Sequence, residues 1–126
     1  MISRFIDKNI GPFLLRISLG MIMLIAHGLP KLFNYSTKKT IFLDPLGVTP
    51  QISLSLVIFS EVICSLLLII GFKTRIVTIP LIITMAVAAF VVHAGQQWSK
   101  QELAIIYLIG YVSLFFSGGG RFALKD

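Results

Sequence analysis

A chain of 126 residues, 56% of them hydrophobic and only 13% charged, is too apolar for a soluble domain. Its mean hydropathy of +0.94 points to a bilayer, and its length to one unit, residues 1–126. The formal net charge of +6 invites a nucleic-acid reading, but the basic residues sit at the ends of apolar runs, so no nucleic-acid partner is expected.

Met1–Ile10 mixes Phe5, Ile6 and Ile10 with Arg4, Asp7 and Lys8 and reads as a short interfacial lead-in. The first apolar run, Gly11–Leu29, opens at Gly11-Pro12, where the missing proline N–H costs little, and is expected to end at Gly28-Leu29-Pro30. It is too long for a cleavable signal peptide, Arg16 interrupts it, and no small-x-small site precedes the polar loop. Within it Arg16, Gly20, Met23 and His27 recur at helical spacing and share one face, which Lys31 continues. An intramembrane charge facing lipid costs a few kcal/mol or more, so this face is expected to point at protein or water.

Phe33–Thr49 is the one long loop, and it mixes Lys38 and Lys39 with Ile41, Phe42, Leu43, Leu46 and Val48. Pro45 and Gly47 rule out a further span, leaving either a cap over the mouth of the bundle or an ordinary surface loop. Thr49-Pro50 signals a helix start for the second run, Ile52–Gly71, which carries Glu61 near its middle and the lone Cys64. The short turn Phe72–Arg75 sets the third run, Ile76–Ala94, antiparallel to the second. Pro80 lies about one turn into it, and Ala86, Ala88 and Ala89 allow close helix approach. A polar loop with Gln96, Gln97 and the interfacial Trp98 follows. Ser99-Lys100-Gln101-Glu102 has capping-box spacing before the fourth run, Leu103–Gly118, and Gly118-Gly119-Gly120 leads into a basic tail.

The fold class is therefore all-α: an integral membrane four-helix bundle, antiparallel and up-down. Four crossings place Arg4, Lys8, Lys73, Arg75, Arg121 and Lys125 on one side and Lys31, Lys38, Lys39 and Lys100 on the other, which favours cytoplasmic termini.

Depth within the helices frames the chemistry. Glu61 lies near the bilayer midplane and Arg16 about 7 Å to its cytoplasmic side, within reach of an arginine side chain. A structural Arg16–Glu61 ion pair would satisfy two otherwise costly charges; the alternative is a neutral Glu61 serving a proton or ligand. His27, His93 and Glu102 fall at similar depth near the outer ends of three helices. They are candidates for a transition metal, for a quinone carbonyl and its proton, or for plain interfacial hydrogen bonding. Lys31 either snorkels to headgroups or binds an anion beside His27. The single Cys64 reads as packing and excludes a dithiol couple within the chain.

Several short motifs occur in a telling order: R-x-x-x-G then H-G-x-x-K-L in the first run, L-G-V in the loop, and Glu61. G-F-K-T-R, V-H, E-L-A and the closing G-G-G-R-F-A-L-K-D follow. The whole resembles the DoxX family of small bacterial four-helix membrane proteins. The resemblance implies a bundle with both termini cytoplasmic in the bacterial cytoplasmic membrane. It also implies a polar pattern of Arg16, His27, Lys31, Glu61, Arg75, His93, Glu102 and Arg121. The expected function is that of a small integral subunit of a quinone-linked or thiol/sulfur redox system, an oxidoreductase subunit rather than a self-sufficient enzyme. The alternatives are a non-catalytic assembly subunit and a small-solute or proton pathway. A quinone is the cofactor implied, and the partners are the lipid bilayer and either other membrane subunits or further copies of the chain.

Overall fold

The computed structural model describes residues 8–125, so the lead-in expected over Met1–Ile10 falls mostly outside the described residues. Their regular structure is helical, with no strand among the described residues: α1 Ile10–Phe33, α2 Tyr35–Lys38, α3 Pro50–Ile70, α4 Thr74–Val92 and α5 Trp98–Ser117. By length and apolarity α1, α3 and α4 are able to cross a membrane. The fourth long helix, α5, has 20 residues and packs along α4 and against α1.

Outward faces are apolar, with Ile22, Ile25, Ile63, Ile83 and Ile106 all exposed, as suits contact with lipid tails. The core gathers Met23, Leu68, Leu81, Tyr111 and Leu114, each almost wholly buried. Two glycines of α1 bring it close to α3. A Cβ on Gly28 would stand 2.6 Å from the Glu61 carbonyl oxygen, and one on Gly20 would stand 3.2 Å from that of Ser65. Small residues allow such backbone contact where no hydrophobic effect drives helices together.

The helix ends differ from the expected ones in three places. First, α1 does not stop at Gly28-Leu29-Pro30 but continues to Phe33. A π-helical turn at Leu24–Gly28, with the Leu29 N–H reaching back to the Leu24 carbonyl, directly precedes Pro30; its wider bonding admits the ring without breaking the rod. Second, α5 begins at Trp98, with Gln97 as the flanking residue and no side-chain cap. Ser99 and Glu102 therefore lie inside the helix and form no capping box, because W-S-K-Q-E-L-A is helix-compatible and winds upstream of Ser99. Third, α4 starts at Thr74, tight against the turn.

Other ends follow the sequence signals. Thr49 accepts a hydrogen bond from the Ile52 N–H at 3.2 Å, and Pro50 takes the first helical position of α3. Gly71, at φ 76°, ends it in a left-handed conformation. The chain's C-terminal segment is strapped onto this turn: the Lys73 N–H donates to the Lys125 carbonyl at 2.6 Å and the Leu124 N–H to that of Ile70 at 3.1 Å.

Candidate functional site

Arg16 and Glu61 lie at different levels of the bundle. Glu61 faces Gly28, and the helical rise puts Gly28 about 18 Å along the axis from Arg16, far beyond an arginine's reach. The expected Arg16–Glu61 pair is therefore not formed. Arg16 is almost fully buried and donates instead to the carbonyls of Leu68 (3.2 Å), Ile69 (2.9 Å) and Gly119 (3.2 Å). The last carbonyls of a helix have no intrahelical partner and carry partial negative charge, so the guanidinium caps α3 and ties it to the residues after α5.

Glu61 pairs with Lys31, Nζ to Oε1 at 2.7 Å, with side chains 5% and 21% exposed respectively. The extension of α1 beyond Pro30 is what carries Lys31 to this level. Lys31 Nζ also lies 3.4 Å from the His27 carbonyl, the acceptor one turn before it. An ammonium has three N–H groups, so at least one remains for a ligand.

This pair borders a cavity of about 530 Å³, within the usual range for small-molecule sites. The described helices α1, α3, α4 and α5 all contribute, and Phe42, Leu43, Pro45 and Leu46 of the long loop also line it. The walls are mostly apolar. The polar groups converge from several helices: His27 and Lys31 from α1, Ser60 and Glu61 from α3, Thr84 from α4, and Tyr107 and Lys100 from α5. The His27 ring meets the Tyr107 ring edge-on at 5.7 Å, and Tyr107 stacks on Tyr111 at 6.0 Å. The Thr84 and Ser60 hydroxyls share a hydrogen bond at 2.9 Å, joining α4 to α3 at the cavity wall.

Local backbone geometry explains why these groups converge. Each of α1, α3 and α4 contains a π-helical segment: Leu24–Gly28 carries His27, Phe59–Cys64 carries Ser60 and Glu61, and Ala88–Val92 runs directly into His93. Such turns widen the helix, redirect side chains and concentrate at functional sites. Asp44 holds the loop in place: its carboxylate accepts from Ser53 Oγ (2.7 Å) and from the N–H groups of Thr49 (2.8 Å) and Val48 (2.9 Å). The hydrogen bond from Ser53, followed by those from the backbone N–H groups, lowers the Asp44 pKa from its ordinary 3.8.

The residues singled out from sequence are thus divided. His27, Lys31, Glu61 and His93 all line the cavity, with His93 Nδ1 3.0 Å from Gln96 Oε1 at its edge. Glu102 is exposed and does not line it. Among the described residues no three His, Cys, Asp or Glu side chains come together to hold a metal, which counts against the His27–His93–Glu102 metal candidate; Glu102 faces away on α5. Arg75 fastens α4 to the end of α5 by donating to the Phe115 carbonyl at 3.1 Å. Cys64 is buried and unpaired. Sequence reasoning missed Tyr107, Ser60 and Thr84. The four-residue spacing of Tyr107 and Tyr111, two polar aromatics on one helical face, was the available signal for the first.

Searches of curated proteins and of solved structures find no match to the chain. A family model does match, over residues 11–94, the greater part of the sequence and the part that holds α1, α3 and α4. Its three apolar spanning helices and this match together make the chain a multi-pass membrane protein that belongs to the DoxX family.

Proposed function

We propose that this protein is a small four-span subunit of the bacterial cytoplasmic membrane, with both termini cytoplasmic, that binds a quinone-like ligand for a redox system. The observation that carries the reading is the cavity, about 530 Å³ of mostly apolar wall with a polar cluster that includes Lys31, Glu61, His27 and Tyr107. A quinone head is a flat ring with two carbonyl acceptors, and its tail is hydrocarbon. The Lys31 ammonium, a His27 ring N–H and the Tyr107 hydroxyl are donors suited to the carbonyls. The leucine, valine and methionine walls suit the ring and the first part of the tail. Reduction of a quinone takes up two protons, and His27, His93 and Glu61 are among the cavity groups placed to exchange them. Electrons come from a partner, since Cys64 alone forms no dithiol couple.

The test is purification in mild detergent followed by mass spectrometry of the extracted lipids and co-purified chains. Near-stoichiometric quinone is expected, falling at least tenfold in Lys31→Met and in Tyr107→Phe. A fully substituted decyl benzoquinone at saturating concentration should raise the Tm of the wild type, as any ligand of the folded state must. No co-purified quinone together with no Tm shift refutes the reading. A stoichiometric partner chain without ligand would make the protein an assembly subunit instead.

A further inference from the structure

The cavity is roofed on one side and open on another. The roof is the loop segment Phe42–Leu46, which Asp44 ties to the start of α3 through Val48, Thr49 and Ser53. The open side lies between α3 and α4. Leu56 and Phe59 of α3 and Ile83 of α4 line the cavity and are 53%, 46% and 55% exposed.

The packing explains the gap. From Phe59 to Ile70, α3 lies against α4, whereas Pro50–Ile58 packs against the end of α1 and α2. The two helices therefore part on the roof side of the Ser60–Thr84 hydrogen bond. Devices known to bend helices sit at this level: the π-helical turn Phe59–Cys64 in α3, and Pro80 and the turn Ala88–Val92 in α4. Leu56, Phe59 and Ile83 are all apolar and stand where lipid tails would lie, so this gap suits a hydrocarbon-dissolved molecule and opposes an ion or sugar.

We propose that ligands enter and leave this cavity sideways, from the bilayer, through a portal between α3 and α4 framed by Leu56, Phe59 and Ile83. The occupant is then a membrane-dissolved amphiphile with a compact polar head and an apolar tail, not a water-soluble solute. The identification of the head as a quinone rests on the function proposed above; the portal rests on the rim geometry. The competing route is the smaller depression between the loop and Val91–Gln96, lined by Asp44 and Gln96, which would admit solutes from water.

Cysteine labelling in phosphatidylcholine liposomes tests the route. Val57→Cys, on a Cys64→Ser background, places a single thiol at a half-buried position of the cavity wall; Val87→Cys replaces it if that variant loses its monodisperse elution. Gln97→Cys, in the exposed loop after α4, supplies the control. Relative to the control, a bilayer-soluble pyrenyl maleimide should label the cavity cysteine at least tenfold faster than a sulfonated, membrane-impermeant maleimide. Leu56→Trp with Ile83→Trp should slow the pyrenyl reaction about tenfold and leave the control unchanged. The portal is overturned if the charged reagent reaches the cavity at the control rate, if the tryptophans change nothing, or if neither reagent labels. Preloading with the decyl benzoquinone should protect the cysteine. Intact, tryptophan-sensitive labelling without protection would uphold the portal and sink the quinone.

Discussion

Replacing Lys31 with Met removes the partner of a carboxylate that is only 5% exposed. Breaking one side of a buried ion pair generally costs about 3–5 kcal/mol, because the remaining charge stays desolvated. Lys31 is 21% exposed at the cavity edge, so screening trims the figure to about 2–3 kcal/mol here. Glu61→Gln keeps the side-chain shape and leaves behind an ammonium that is partly accessible, so its expected cost is smaller, about 1 kcal/mol. The double variant Lys31→Met/Glu61→Gln buries no unpaired charge and should be less destabilised than the sum by at least about 1 kcal/mol. Equilibrium unfolding in mixed micelles, followed by far-UV circular dichroism, measures all three. A matched cycle of Arg16→Gln with Glu61→Gln should be additive, since those residues stand about 18 Å apart along the bundle. Additivity within about 0.5 kcal/mol for Lys31 and Glu61, or coupling of that size for Arg16 and Glu61, would refute the assignment of partners.

Gly28→Ala should destabilise by about 2–3 kcal/mol, since its Cβ would meet the Glu61 carbonyl at 2.6 Å and backbone cannot yield. Gly110→Ala meets only the flexible end of Leu19 and should cost clearly less in the same unfolding assay. Arg16→Lys should lose about 2 kcal/mol, because a lysine cannot fork to three carbonyls, and limited proteolysis should then cut the tail after Gly119 more readily. Asp44 has its native pKa below the ordinary value of 3.8, so its ionised form favours the docked loop. That contribution is complete above the ordinary value and is lost as pH falls through the lowered native one. Amide exchange at Val48 and Thr49, corrected for intrinsic rates, should stay protected at neutral pH and open in acid. In Asp44→Ala it should be weak at every pH, and unchanged protection there would remove the tether.

Local pattern was enough to find the apolar runs, the buried stripe and several boundaries. Arg16, Gly20 and Met23 are indeed buried, and His27 and Lys31 face the cavity, because angular position on a helix follows from spacing within one segment. Thr49-Pro50 and Gly71 mark their helix ends because caps act through backbone groups a few residues away. The pairing of charges had no such local origin. It depends on relative depth, which is set by the contact of Gly28 with the Glu61 backbone and by a π-helical turn that carries α1 past Pro30. Those features arise when the helices pack, and no periodicity within one segment encodes them. Hence the polar stripe on α1 was legible in the sequence, while the tertiary structure alone decided that Arg16 caps the end of α3 and that Lys31 holds Glu61 at the cavity.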